Sequence, residues 1–277
     1  MDRLLRLVGV VAFISIVAAL LVGASLRPPA PPPNPRAAQE RLQGTIKIGM
    51  DPSYPPIASL DGRGNLSGLD VDIAVEIARR FGVRPDFIGI DVGAIFDALG
   101  QRRFDVIVSG IPPFPEYGRD VIYSQPYFNA GQVIVVRSDP GAPRSLADLR
   151  GPVAVEIGSG GEIEARRLAA RGTIELFLRD SPAAVVAAVR DGSATAGILD
   201  RLSAVEAARD GVQVAGPPFT LEPYVIAARR GDEALLAEID AMIAAMRADG
   251  TLALIEERWL RPADLDPVNG PRPPAGP

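Results

Sequence analysis

Residues 45–50 (TIKIGM) alternate apolar and polar positions and predict a first strand. After a turn at DGRG, 61–64, the stretch 70–81 places Ile73, Ile77 and Phe81 four residues apart, with Ala74 and Ala78 beside them. That spacing gives one apolar helix face. Asp70 or Asp72 stands at the helix start, where a carboxylate can cap free N–H groups. Residues 85–90 predict a second strand, 94–99 the start of a second helix, and 104–108 a third strand. Alternating strands and helices predict a parallel sheet with both faces covered. The pattern then restarts. Strands are expected at 132–137 and 153–157, followed by a glycine-rich loop at 158–161 and helices at 162–170 and 182–190. Residues 196–199 read as a short buried strand ending at Asp200, 224–228 as a returning strand, and 233–247 and 251–259 as closing helices. No close repeat links the halves.

The ends differ from the body. Arg3 and Arg6 precede an uncharged apolar run at 7–26, long enough to span a bilayer. Two readings stand for 1–26: a cleaved signal peptide, with Val22-Gly23-Ala24 as the cleavage site, or an uncleaved anchor with a cytoplasmic N-terminus. Both place the body outside the cytoplasm, and the length of the run favours the anchor. Residues 27–43 open with RPPAPPPNP, a semi-rigid polyproline linker. The tail, 263–277, is rich in Pro and Gly and is expected to be disordered.

Composition narrows the chemistry. The 277 residues carry a net charge of −5, and −6 once 1–26 are set aside, which argues against a nucleic-acid partner. The chain has no His and no Cys. This excludes imidazole and thiolate metal sites, Cys nucleophiles, His bases and a lipoprotein anchor. Neither a metal nor a cofactor is expected.

Four phrases carry a family resemblance. They are GLDVDIAVEIARRF at 68–81, YSQPY at 123–127, SLADLRG at 145–151 followed by PVAV, and DGT at 249–251 shortly before EERW at 256–259. In this order and spacing the chain, over roughly 44–262, resembles the family 3 bacterial extracellular solute-binding proteins, the polar amino-acid receptors of ABC importers. The resemblance implies an α/β, two-lobed type 2 periplasmic binding fold with a ligand cleft between the lobes. Lobe 1 would hold 44–132 plus 223–262, and lobe 2 would hold 133–222. It implies a monomeric, extracytoplasmic, non-enzymatic protein that captures a small polar solute, an amino acid or related amine, for a permease in the membrane. Two alternatives share the fold: a membrane-anchored ligand sensor, and a cyclohexadienyl dehydratase-like enzyme, disfavoured by the missing His and the missing arginine described below.

Ligands of open α/β sheets sit beyond the carboxyl ends of strands, so the segments at 51–56, 109–114 and 158–161 and Asp200 draw attention. The resemblance assigns Asp51 and Asp200 to ligand ammonium groups, Tyr54 to packing on the ligand, and the Gly110 carbonyl, beside Ser109, to an ammonium hydrogen bond. It assigns Ser159 and Gly160 to backbone N–H groups facing a carboxylate, as a helix N-terminus would. Other roles remain open: a turn for Asp51, a surface aromatic for Tyr54, a helix cap for Asp200. The family's hydroxyl positions after Gly110 are Pro112 and Phe114 here, and its carboxylate-clamping arginine is Tyr117. Arg119, two residues on, could replace the clamp. Glu156 with Asp51 and Asp200 could form an acidic cleft suited to a cation; alternatively Glu156 points to solvent or pairs with Arg166 or Arg167.

Overall fold

The computed structural model describes residues 40–207 and 212–260. The expected signal or anchor, most of the linker and the tail lie outside the described residues. No described helix is long and apolar enough to cross a membrane.

β1 (Thr45–Met50) leads into a small antiparallel sheet of β2 (Ser53–Tyr54), β3 (Ala58–Leu60) and β4 (Leu66–Ser67). α1 (Leu69–Phe81), β5 (Arg84–Gly89), α2 (Val92–Gly100), β6 (Val106–Ile107) and β7 (Val121–Tyr123) follow. After β8 (Phe128–Asn129) come β9 (Gln132–Arg137), β10 (Pro152–Glu156), α3 (Gly160–Ala170), β11 (Glu175–Arg179) and α4 (Pro182–Arg190). Next are β12 (Ala196–Asp200), α5 (Arg201–Ala207) and β13 (Val212–Ala215). β14 (Pro223–Tyr224), β15 (Ala227–Arg229), α6 (Glu233–Ala248) and α7 (Thr251–Leu260) close the described chain.

Two five-stranded sheets result, ordered β5-β1-β6-β15-β7 and β11-β10-β12-β9-β13. Each carries a core on both faces. In β1, Ile46, Ile48 and Met50 pack with α1, α6 and α7. Gly49, on the other face, admits the Phe104 ring, which a Cβ would meet at 2.4 Å. In β9, Val133 and Val135 join the core under α4, while Ile134 and Val136 join the one under α3. Alternate residues thus serve opposite faces, which is why β9 reads as an unbroken apolar run from Val133 to Val136.

The sheets are mixed rather than parallel. β1 runs parallel to β5 and β6, and β10 to β11 and β12, but β15, β9 and β13 run antiparallel to their neighbours. The expected strand at 224–228 is two: β14 pairs with β8, β15 lies in the first sheet, and between them the Val225 N–H turns to the Ile111 carbonyl. β11 and β13 were not anticipated. α3 begins at Gly160 rather than 162 because Ser159 caps it.

α1 also departs from expectation. Its N-cap is Gly68, with no side-chain cap. Asp72 instead accepts from Arg258 Nη1 at 2.9 Å and Trp259 Nε1 at 2.8 Å, tying α1 to α7. Asp70 turns into the protein, as described below.

The chain passes from the first sheet to the second around 130 and returns around 221, and the two passages lie side by side. The Ala130 N–H donates to the Glu222 carbonyl (2.9 Å) and the Tyr127 N–H to the Tyr224 carbonyl (3.0 Å). Asn129 holds the returning passage twice, through the Glu222 N–H and the Thr220 carbonyl. A Cβ at Gly131 would stand 2.1 Å from the Thr220 carbonyl oxygen, so this close approach requires glycine.

Gly68 is a second such position. It has φ +151°, and a Cβ there would lie 2.1 Å from the Ile57 carbonyl oxygen. Gly68→Ala is therefore expected to destabilise the protein by about 3 kcal/mol, measured as a lowered midpoint in urea unfolding. A change below about 0.5 kcal/mol would contradict this packing.

Candidate ligand-binding site

The carboxyl ends of β1 and β6 bring four of the expected residues together. The Ser109 hydroxyl accepts the Asp51 N–H at 2.9 Å. The Asp51 carboxylate is spent locally. Oδ1 accepts the Ser53 N–H (3.0 Å) and hydroxyl (2.6 Å), and Oδ2 accepts the Val92 N–H (3.0 Å) at the start of α2. The Ser53 hydroxyl and these backbone donors hold its pKa below the usual carboxylate value, against a smaller opposing effect of burial. Of the two roles left open for Asp51, this geometry is that of a turn residue.

Gly110 follows Ser109 with φ +58°. A Cβ there would meet Ile57 at 3.1 Å, Tyr224 at 3.3 Å and Tyr54 at 3.6 Å, so the glycine is walled by these side chains. Its N–H donates to Asp70 Oδ2 at 2.5 Å, and Asp70 Oδ1 accepts the Tyr127 hydroxyl at 2.9 Å. Asp70 is fully buried. Burial pushes its pKa up to about 7, against the opposing pull of these two hydrogen bonds. Beyond Gly110, the hydroxyls of Tyr54 and Tyr224 stand 3.4 Å apart. Burial is the main cause raising both phenols, and the negative fields of Asp70 and Asp200 raise both further, with Glu222 adding to Tyr54.

The other group of expected residues surrounds the start of α3. The Ser159 hydroxyl accepts the Glu162 N–H at 3.2 Å and donates to the Glu156 carbonyl at 2.8 Å. The Gly158 N–H goes to Glu162 Oε2 at 2.6 Å. Among the described residues the N–H groups of Gly160 and Gly161 have no partner, as expected of a first helical turn. Gly160 backs onto Glu222 and Gln132, which a Cβ would meet at 3.1 and 3.4 Å. Glu222 Oε1 accepts from Gln132 Nε2 (3.0 Å) and the Thr220 hydroxyl (3.1 Å). Asp200 Oδ1 caps α5, accepting the N–H groups of Leu202 (3.0 Å) and Ser203 (2.9 Å). Its other oxygen accepts no hydrogen bond among the described residues.

The third expected group lies apart. Tyr117 ends a short helical turn, Pro115–Tyr117, and stacks on Phe96 with ring centroids 4.1 Å apart, with Phe114 edge-on to both. The position expected of a clamp is thus part of an aromatic cluster against α2. Pro112 is half-buried on the way to this turn. Arg119 is exposed, and its side chain has no partner among the described residues.

The carboxylates whose fields reach the Tyr54 phenol are Asp200, Asp70 and Glu222. Glu156 does not pair with Arg166 or Arg167, whose partners are Glu162 and Glu164. Sequence reasoning missed Asp70, Gln132, Glu222 and Tyr224. A signal was available for Asp70: two carboxylates two residues apart in one first turn are more than a single cap needs. Gln132, Glu222 and Tyr224 sit in or beside the passages between the sheets, and the passages themselves were the signal.

Residues 46–262 match the model of the bacterial extracellular solute-binding proteins, family 3. The chain is 29% identical over 222 residues to the L-cystine-binding protein TcyJ of Escherichia coli (strain K12), covering 78% of this chain and 83% of that one. Among solved structures it is similar to an ancestral cationic amino acid solute binding protein, AncCDT-1, with 31% identity and TM-score 0.61 over 81% of this chain and 100% of that one. It also resembles a variant of an ancestral cyclohexadienyl dehydratase, AncCDT-3, with 25% identity and TM-score 0.71 over 83% and 97%.

The local engagement of Asp51 has a consequence. Asp51→Ala is expected to cost about 1 kcal/mol at neutral pH, the usual worth of such backbone caps. A depressed carboxyl pKa contributes stability above its unfolded value of about 4 and loses it as pH falls through the folded value. The gap between wild type and variant in urea unfolding should therefore shrink from pH 7 to pH 2.5. A gap that widens with acid would show that the carboxylate is not held in this way.

Proposed function

The chain belongs to the bacterial extracellular solute-binding proteins, family 3, and we propose that it captures a small polar amino acid or related amine outside the cytoplasm and delivers it to an ABC permease. The observation that carries this reading is the opposition of two kinds of group. Tyr54 of β2 and Tyr224 of β14 gather around Gly110 beyond the carboxyl end of β6, and the N–H groups of Gly160 and Gly161, which have no partner among the described residues, open α3 beside Glu222. An amino acid is complementary to such a pair. Its carboxylate meets the positive end of α3, and its ammonium meets the free oxygen of Asp200 and the Gly110 carbonyl by charge-assisted hydrogen bonds. The three carboxylates Asp70, Asp200 and Glu222 favour a ligand with a further positive charge, and the faces of Tyr54 and Tyr224 suit a cation as well.

In this reading 44–132 plus 223–262 form lobe 1, 133–222 form lobe 2, and the passages around 130 and 221 are the hinge on which they close over the ligand. Tyr117 supplies no clamp, so α3 and Arg119 are left to hold the carboxylate. The protein acts as a monomer and by binding alone, with no His or Cys for proton transfer or nucleophilic attack. Residues 1–26 export the body or tether it to the outer face of the membrane.

A thermal-shift screen against L-arginine, L-ornithine, L-histidine, L-cystine, L-glutamine and agmatine tests this function. A ligand at a hundred times its Kd should stabilise the protein by about 2.7 kcal/mol, worth a few degrees. Tyr54→Ala and Asp200→Ala should each weaken that ligand about tenfold, by calorimetric titration. A wild-type protein indifferent to the whole panel, or a ligand untouched by both substitutions, would count against it.

A further inference from the structure

We propose that Asp70 is a positioning residue of the ligand site: it grips the Gly110 N–H and the Tyr127 hydroxyl at once, and so fixes the Gly110 carbonyl and the hinge in one arrangement. The inference rests on the reading that Tyr54, Gly110 and Tyr224 line that site.

Three observations carry it. Gly110 adopts φ +58°, one of several conformations equally open to a glycine, and the side chain that selects it is Asp70, whose Oδ2 accepts the Gly110 N–H at 2.5 Å. Its carbonyl accepts no hydrogen bond among the described residues, which leaves it for a ligand donor. The second Asp70 oxygen takes Tyr127, whose own N–H is bonded to the Tyr224 carbonyl. Tyr224 is at once a wall of Gly110 and a residue of β14, the strand of the returning passage. One carboxylate therefore joins α1, the pocket glycine and the paired passages. Leu69 and Asp70 donate their N–H groups to the carbonyls of Pro56 and Ile57, which fixes the start of α1 against the loop that carries Tyr54.

The arrangement also confers sensitivity to pH. The titratable groups that face Asp70 are the phenols Tyr127 from the segment before β8, Tyr224 from β14 and Tyr54 from β2. Asp72, two residues on, is turned to Arg258 and Trp259. Burial holds the Asp70 pKa near 7, so the group ionises within the physiological range. Its negative charge reaches Tyr54 and Tyr224, and a bound cation feels it more strongly above that pH than below.

The test has two arms. In the unliganded protein, the Gly110 amide resonance should titrate with a midpoint near 7 in wild type and be flat in Asp70→Asn. Asparagine retains the size, can accept the Gly110 N–H and donate to Tyr127, and carries no proton to lose. A Gly110 amide that does not move between pH 5 and 9 would overturn the inference. In the second arm, L-arginine or whichever panel ligand binds is titrated calorimetrically at pH 6 and pH 8. Wild type should bind several-fold more tightly at pH 8. Asp70→Asn should lose this difference, and Tyr127→Phe should weaken binding three- to tenfold with the pH dependence kept. If Tyr127→Phe keeps the wild-type affinity, and Asp70→Asn the wild-type pH profile, for a ligand that Tyr54→Ala weakens, the positioning role fails and the site stands. If neither Tyr54→Ala nor Asp70→Asn alters the Kd, the ligand binds elsewhere, and both readings fall.

Discussion

Both five-stranded sheets carry a core on each face, and this double burial decides where polar groups can stand. A strand such as β9, with alternate residues in two different cores, has no side chain to spare for a ligand until it ends. The chemistry is forced to the strand ends and to the first turns of the helices that follow, where backbone groups are unpaired for geometric reasons. Asp51, Ser109, Gly110, Ser159 and Asp200 all stand at such ends, and Asp51, Ser159 and Asp200 each give a side-chain oxygen to the N–H groups that open a helix. The site is thus a by-product of how the sheets are covered, and specificity is left to the few side chains that the ends do not need for capping.

The second constraint is the pairing of the two passages. Backbone hydrogen bonds, Asn129 and Thr220 hold them together, with Gly131 permitting contact too close for any side chain. Glu222 and Tyr224 belong to this ribbon, and both also border the candidate site. A rotation of one sheet against the other therefore cannot leave the candidate site unchanged, since the paired passages and the site share residues. Arg201 adds a further tie. It pairs with Glu256 of α7 at 2.8 Å, lies over the Phe128 ring, and directly follows Asp200. With the Arg201 N–H bonded to the Ala130 carbonyl at 3.2 Å, the backbone that carries Asp200 is held on the side that follows it, and the Leu202 and Ser203 N–H groups orient its carboxylate.

Much of this was legible in the sequence where one physical signal dominated. β1, β9 and α4 fall at the expected residues, because alternation in β1, a short apolar run in β9 and four-residue spacing behind a serine cap in α4 are each strong local signals. The losses have identifiable causes. β11, ELFLR, is edged by charge and only partly buried, and β13 is an edge strand with two exposed residues, so neither shows a clean period. The stretch 224–228 is continuously apolar, and periodicity could not reveal that it serves two sheets. Asp70 is adjacent in sequence to free helical N–H groups yet bonds residues 40 and 57 positions away, a pairing that no local rule reaches. The absence of the arginine was visible in the register, but its structural counterpart, Tyr117 stacked on Phe96, required the fold.

The loss of that arginine sets the electrostatics of the site. A helix N-terminus offers roughly half a positive charge, and the site offers it against Asp200, Glu222 and a part-ionised Asp70. A ligand with a single carboxylate and a single ammonium would place its anion in a field that is negative on balance. A second positive charge on the ligand, or the exposed Arg119 brought in from the loop after Tyr117, would restore the balance. These two solutions differ in what they ask of the chain. The first needs no movement in the loop at 112–119, which the Phe96, Phe114 and Tyr117 rings already pack together. The second must break or bend that packing, and three mutually packed aromatics resist it by an amount comparable to the gain from one partly solvated ion pair. With the two energies comparable, the choice between a charge on the ligand and one on Arg119 turns on how firmly the rings of Phe96, Phe114 and Tyr117 hold the loop.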